Sequence, residues 1–243
     1  RNLGVDFYDM ADASGFDRNP RQAWGFYAHR LRLYRETIPH VGFQILLGWT
    51  RAMADGLFAS GEAADGQGTE HSHSFVFTSN VDGQFQRAGF SRSEIFEVHG
   101  SIHYLQCATP CSNHVWPADE IHVELDETTM LATGPLPACP RCGGLARPNI
   151  LMFGDGVYLP ERRYEQNRQM ERFLARAVEG SLAIVELGAG TAVPTVRRLG
   201  EELHRAGVGE LVRINLREPQ APSGAVSVGL SAREALERIA AAK

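Results

Sequence analysis

No stretch of this sequence approaches the roughly 18 consecutive apolar residues of a membrane-spanning helix, and no secretory signal pattern is visible. Neither charge dominates: 24 Lys and Arg against 29 Asp and Glu leave a net charge of -5, which offers no electrostatic pull on nucleic acid or an anionic membrane. Together these absences predict a soluble, cytoplasmic protein with neither nucleic acid nor membrane as a partner. Internal repeats and low-complexity tracts are lacking, which argues against a solenoid or a linker array. An initiator methionine is lacking too, because the chain begins at Arg1, and residues 1–16 contain no apolar strand.

What is present suffices for a core. With 243 residues and 43% hydrophobic content, the chain can fold as one large domain or two smaller ones. Residues 20–37 predict a helix, with Pro20 in its first turn and Trp24, Tyr27, Leu31 and Tyr34 at helical spacing. Residues 40–58 predict a second helix, and 60–74, rich in Gly, Ser and His, a loop. Downstream, "NILMFG" (149–154) reads as a buried strand and 161–179 as an amphipathic helix. "LAIVELGAG" (182–190) reads as a strand opening into a Gly-rich turn. A helix near 193–206, the strand "ELVRINL" (210–216), a short "AVSVG" strand and a helix from about 231 follow. Strands alternating with helices predict an α/β fold with a parallel, doubly wound sheet.

The segment "FVFTSNVDGQFQRAGF" (75–90) supports two readings. Asp82-Gly83 after an apolar run is a hairpin signal. Thr78, Ser79, Asn80 and Asp82 also gather polar side chains just past a strand, where α/β enzymes place their chemistry. No alternating partner strand follows, so the turn does not join paired strands.

The four cysteines fall into two pairs, Cys107-x3-Cys111 and Cys139-x2-Cys142, separated by 27 residues. Between Cys107 and Cys142 the chain holds five prolines and little periodicity, a poor core that needs a staple. Paired thiolates at this spacing suit tetrahedral zinc, and with no position left open for water the ion is structural. The alternatives are four separate buried thiols, or disulfides, which sit poorly in a chain without an export signal.

In order, "TSNVDGQFQRAG" (78–89), "EVHGS" (97–101), the cysteine pairs, "ARPNILMFGDGVYLP" (146–160), the Gly-rich turn and "RINL" (213–216) resemble the sirtuins. These are NAD-dependent protein deacylases with a Rossmann-like domain, a small zinc module and a helical module. The resemblance implies acyl-lysine proteins as substrates, NAD as cofactor and structural Zn2+. It also divides the chain into a helical module and lead-in (1–74), a Rossmann-like domain (75–104 and 146–243) and a zinc module (105–145). His99 takes the place of the family's general base, and imidazole titrates near neutrality, as that task requires. Asn80 and Asp82 correspond to the contacts with the ribose and the nicotinamide amide. Ser79, Val81, the turn Gly188-Ala189-Gly190 and Asn215, Leu216 and Arg217 correspond to further cofactor contacts. Phe153 and Gly154 correspond to the acyl-lysine tunnel and the backbone edge that receives the peptide.

Tyr27-x-x-Arg30 matches the pair that binds the distal carboxylate in sirtuins preferring succinyl or malonyl groups. At i, i+3 both side chains share one helix face, and guanidinium grips a carboxylate with parallel hydrogen bonds. Two places depart from the family pattern: Ser79, where Gln is usual, and "GQFQRAG" for the usual "GLHQRAG". The family's first strand and its Gly-rich "GAG-x-S" loop have no counterpart here. The expectation is about 40 to 60 further N-terminal residues, and incomplete NAD affinity without them. A competing reading on the same fold is an NAD-consuming ADP-ribosyltransferase or glycohydrolase, and a third is a non-catalytic zinc-bearing module.

Overall fold

A computed structural model describes residues 7–60, 73–177 and 182–242. In chain order the helices and strands are α1 (Phe7–Met10), α2 (Gly15–Arg18), α3 (Pro20–Glu36), α4 (Val41–Ser60), β1 (Val76–Thr78), α5 (Gln84–Ala88), β2 (Ile95–Glu97) and β3 (Gly100–Cys107). There follow β4 (Val115–Pro117), β5 (Glu124–Asp126), β6 (Leu131–Thr133), β7 (Ala146–Ile150), α6 (Glu161–Ala177), β8 (Leu182–Leu187), α7 (Thr195–Arg205), β9 (Gly209–Ile214), β10 (Val226–Val228) and α8 (Ala232–Ala241). The loop expected over 60–74 lies almost wholly outside the described residues, as does the end of the helix expected to reach 179.

The chain divides into two compact units. The first comprises residues 1–38, 80–84 and 97–165; the second comprises 39–79, 85–96 and 166–243.

In the first unit α3 begins as its sequence dictates. Asn19 caps it by accepting from the Gln22 N–H, and Pro20 occupies the first turn. Its buried stripe of Ala23, Trp24, Tyr27, Ala28 and Leu31 packs with Phe16, Ile102, Leu105, Ile150 and Met152. The indole of Trp24 is fully buried and donates to the Ala146 carbonyl at 2.9 Å. Strand β3 runs antiparallel to both β4 and β7, and β5 pairs with β6. This corrects the expectation for "NILMFG": the strand covers Ala146–Ile150, ends before Phe153 and pairs antiparallel. Beyond it, Phe153 forms only an isolated bridge with Asp12.

The β3–β7 register passes from Ser101↔Asn149 directly to Leu105↔Pro148, so residues 102–104 have no partner on β7. This bulge turns the middle of β3 toward other partners.

The second unit carries the parallel sheet, in the order β10-β9-β8, with α7 packed on β8 and β9. Ser231 caps α8 by accepting from the Glu234 N–H, and α8 packs on α4. A smaller core joins Leu47, Ala88, Phe90 and Ile95, with Phe43, Val76 and Phe85 against them. Among the described residues no helix is long and apolar enough to cross a membrane.

Candidate functional site

The bend at 80–83 is held by the β3 bulge. The Ile102 N–H donates to the Val81 carbonyl at 3.0 Å, and His103 Nε2 donates to the Asp82 carbonyl at 2.9 Å. Gly83 sits at φ +70°, and a Cβ there would meet the His103 ring at 2.7 Å, so glycine is required on both counts. Asp82 Oδ1 accepts from the Gln84 N–H at 3.0 Å, which starts α5; the Asp82-Gly83 signal is a turn into a helix, not a hairpin. Gln84 in turn donates to the Tyr34 carbonyl at 3.0 Å. Asn80 is exposed, and Ser79 is the last residue of its segment of the second unit.

Asp82 is half-buried, and its carboxyl is pushed above the ordinary range. Burial is the main cause and the nearby Glu97 adds to it, while the Gln84 N–H and His103 oppose. His99 is half-buried on the two-residue turn between β2 and β3, and its carbonyl accepts from the Leu151 N–H at 2.9 Å. Gly100, at φ +79°, would place a Cβ 2.2 Å from the Asn149 carbonyl oxygen, so His99 is followed by the one residue that lets β3 close on β7. Within the first unit the bend and His99 therefore share one support, the N-terminal half of β3.

The loop after β7 is fixed by side chains that the sequence patterns passed over. Gln106 Oε1 accepts from Asn149 Nδ2 at 2.9 Å and from the Leu159 N–H at 3.0 Å, while Gln106 Nε2 donates to the Val157 carbonyl at 2.8 Å. Asn149 also donates to the Leu159 carbonyl at 2.9 Å. Arg147 and Asp155 form a fully buried ion pair at 2.7 Å. Phe153 and Gly154 are exposed on this loop, and a cavity of about 190 Å³ opens beside it between Ser14, Phe16, Asp17, Arg147, Gly154 and Val157. Buried polar residues in a strand leave no periodic signature; only their interruption of an apolar run could have marked them.

Tyr27 is a core residue, stacked on Phe16 with ring centroids 5.7 Å apart, and burial raises its phenol well above the ordinary value against the pull of Arg147 and Arg30. Arg30 lies 4.5 Å over the Phe26 ring and donates to the Tyr34 phenol at 2.7 Å.

In the second unit the Gly188–Gly190 turn follows β8 and residues 215–220 follow β9. Gly188 is at φ +66° and donates to the Ile214 carbonyl at 2.9 Å. Asn215 is buried; its Nδ2 donates to the Ala189 carbonyl at 2.9 Å, and its Oδ1 accepts from the N–H groups of Arg217 and Glu218. Leu216 and Arg217 are exposed. Beneath the loops, Arg213 grips the buried Glu186 with two hydrogen bonds and also reaches Glu201.

The four cysteine sulfurs lie within 4.8 Å of one another, with Cys107–Cys142 and Cys111–Cys139 each 3.7 Å apart. Disulfide sulfurs sit about 2.05 Å apart, whereas thiolates on a tetrahedral zinc at about 2.3 Å stand about 3.8 Å from one another. The set fits zinc and not disulfides. Burial pushes Cys107 up to about 12. At Cys139 burial is outweighed by the N–H groups of Cys142 and Arg141 and by the thiols of Cys111 and Cys142, and it falls to about 7.

The Sir2 family profile matches residues 66–184. An "NAD-dependent protein deacylase" of Aquifex aeolicus is 28% identical over 174 residues, covering 71% of this chain and 60% of that protein. The "NAD-dependent protein deacylase Sir2" of Mycolicibacterium smegmatis is 24% identical over 233 residues, covering 96% and 81%. A solved sirtuin, studied for its substrate affinity, superposes with a TM-score of 0.64 at 21% identity over 99% of this chain and 87% of its own.

Over residues 66–184 the chain is similar to the Sir2 family, and its fold is that of the sirtuins. The same fold recurs in a Sir2 homologue solved with ADP-ribose, at a TM-score of 0.64 and 21% identity. The chain thus spans less than two thirds of its Aquifex relative, whose name describes a whole protein.

Proposed function

We propose that this chain is a member of the Sir2 family and acts as an NAD-dependent protein-lysine deacylase. The observation that carries the reading is the anchoring of the Val81-Asp82 bend on the β3 bulge, directly downstream of His99. NAD, consumed as a substrate together with one water, would supply the glycosidic bond whose cleavage releases nicotinamide; the acyl group would pass to ADP-ribose, and the water would complete the release of the lysine amine.

His99 is the general base toward a ribose hydroxyl, a task suited to imidazole near neutral pH. Asn80 orients the ribose and Asp82 receives the nicotinamide amide, with Ser79 and Val81 beside them. Gly188, Ala189 and Gly190 offer backbone, and Asn215, Leu216 and Arg217 a loop, to the adenosine half, at the carboxyl ends of parallel strands where such folds take ligands. Phe153 and Gly154 present the acyl-lysine peptide with its edge, and the cysteine set holds structural zinc. A cytoplasmic location accords with four cysteines arranged as metal ligands and not as disulfides.

The finer reading is a preference for succinyl and malonyl groups through Tyr27 and Arg30. Tyr27 keeps its proton and can donate, and Arg30 lies within electrostatic reach of it. One panel tests both levels: acetyl-, succinyl- and malonyl-lysine peptides with NAD, products read by mass spectrometry. Acyl-ADP-ribose with free lysine is the expected outcome, and ADP-ribose attached to protein or released alone would replace deacylation by the transferase or glycohydrolase reading. Arg30→Met should cut desuccinylation by about tenfold or more and spare deacetylation, on the strength of a charge-assisted bidentate contact. Undiminished desuccinylation in that variant rules out the role of Arg30.

A further inference from the structure

Arg197, on the first turn of α7, is buried, and its ion pair with Glu201 is long at 3.9 Å. Its guanidinium is spent on backbone carbonyls. Nη1 donates to Ala189 O at 3.1 Å and to Glu218 O at 3.0 Å, and Nη2 donates to Gln220 O at 2.7 Å. One side chain thereby joins the turn after β8 to the loop after β9. Two further links run in parallel: Asn215 Nδ2 also donates to Ala189 O, and the Thr191 N–H and hydroxyl both donate to the Glu218 carboxylate.

The Ala189 carbonyl is the informative acceptor. In a trans peptide the C=O and the following N–H point in opposite directions across one plane. Drawing the Ala189 carbonyl inward toward Arg197 and Asn215 therefore turns the Gly190 N–H the other way. A glycine-rich turn at the end of a parallel strand, with an amide directed outward, is the arrangement that receives nucleotide oxygens.

We propose that Arg197 is a positioning residue for nucleotide binding, which fixes the Gly188–Gly190 turn against the 215–220 loop and aims the Gly190 N–H at an oxygen of the adenosine-diphosphate moiety. The inference rests on the NAD reading of these two loops. A planar fork with several donors can satisfy three carbonyls at once; a lysine ammonium at the end of a flexible stem cannot reproduce that geometry.

ADP-ribose titrated calorimetrically into the wild-type protein, Arg197→Lys, Gly190→Pro and Arg198→Ala tests it, with steady-state kinetics alongside. Arg197→Lys should weaken ADP-ribose binding and raise KM for NAD by about tenfold or more, the scale on which small displacements of a site act. KM for the acyl peptide and kcat at saturating NAD should stay put, and Arg198→Ala, an exposed neighbour, should behave as wild type. Gly190→Pro, which deletes the N–H without touching Arg197, should show the same loss, and it decides the matter if Arg197→Lys does not fold. Wild-type affinity in either variant, or a fall in kcat with KM for NAD unchanged, overturns the role of Arg197. A wild-type protein that does not bind ADP-ribose at all overturns the NAD reading itself, a result distinct from the first.

Discussion

Burial lifts the Asp82 carboxyl above the usual carboxylate range, in spite of the Gln84 N–H that its Oδ1 accepts. The folded protein therefore holds that proton more tightly than the unfolded chain does. The contribution of this group to stability is greatest below the ordinary aspartate pKa of about 4 and is lost as pH rises through the raised folded value. Asp82→Asn keeps an oxygen for the Gln84 N–H and cannot ionise. It should raise the melting temperature at neutral pH, with the gain shrinking to nothing as pH falls toward about 4, and abolish deacylation. Equal melting of variant and wild type across that range would remove the argument. The types and order of Asn80, Asp82 and His99 could be read from the chain, because their motif is local. His103 could not, because its role depends on a bulge that brings residue 103 to a carbonyl 21 positions earlier.

At the scale of elements, helices were the more legible. α3 announces itself through Pro20 and a repeating apolar stripe, and the structure adds side-chain caps at Asn19 on α3 and Ser231 on α8. β7 was less so: its run of buried residues includes Arg147 and Asn149, whose polar ends serve the following loop. Gln106→Leu tests that service. It keeps the volume but leaves the Asn149 amide, the Leu159 N–H and the Val157 carbonyl short of a partner, at about 1–3 kcal/mol for each buried group left unsatisfied. Urea denaturation should register several kcal/mol of lost stability on that scale, and KM for the acyl peptide should rise more than KM for NAD. A variant as stable as wild type would show that the amide clamp contributes little.

For the whole molecule, zinc is the most consequential expectation. β4, β5 and β6 are short strands of three residues each, and three of the four cysteines lie near or beyond their ends. Metal analysis should find one zinc per chain. Removal by a strong chelator should lower the melting temperature, since thiolate zinc sites in small modules contribute apparent binding energies of about 10–16 kcal/mol. A metal-free protein with unchanged melting would make the cysteine set incidental.

The sequence by itself determined the α/β class, the long helices, the metal-ligand spacing and the order of motifs that resembles the Sir2 family, since each is written in neighbouring residues or a fixed period. Only the tertiary structure decided which polar groups support them. The His103 and Ile102 contacts on the bend, the Gln106–Asn149 clamp and the Arg197 links between two loops all join residues distant in the chain. Their partners are mostly backbone carbonyls and amides, which every residue carries, so no residue type in the sequence marks them in advance.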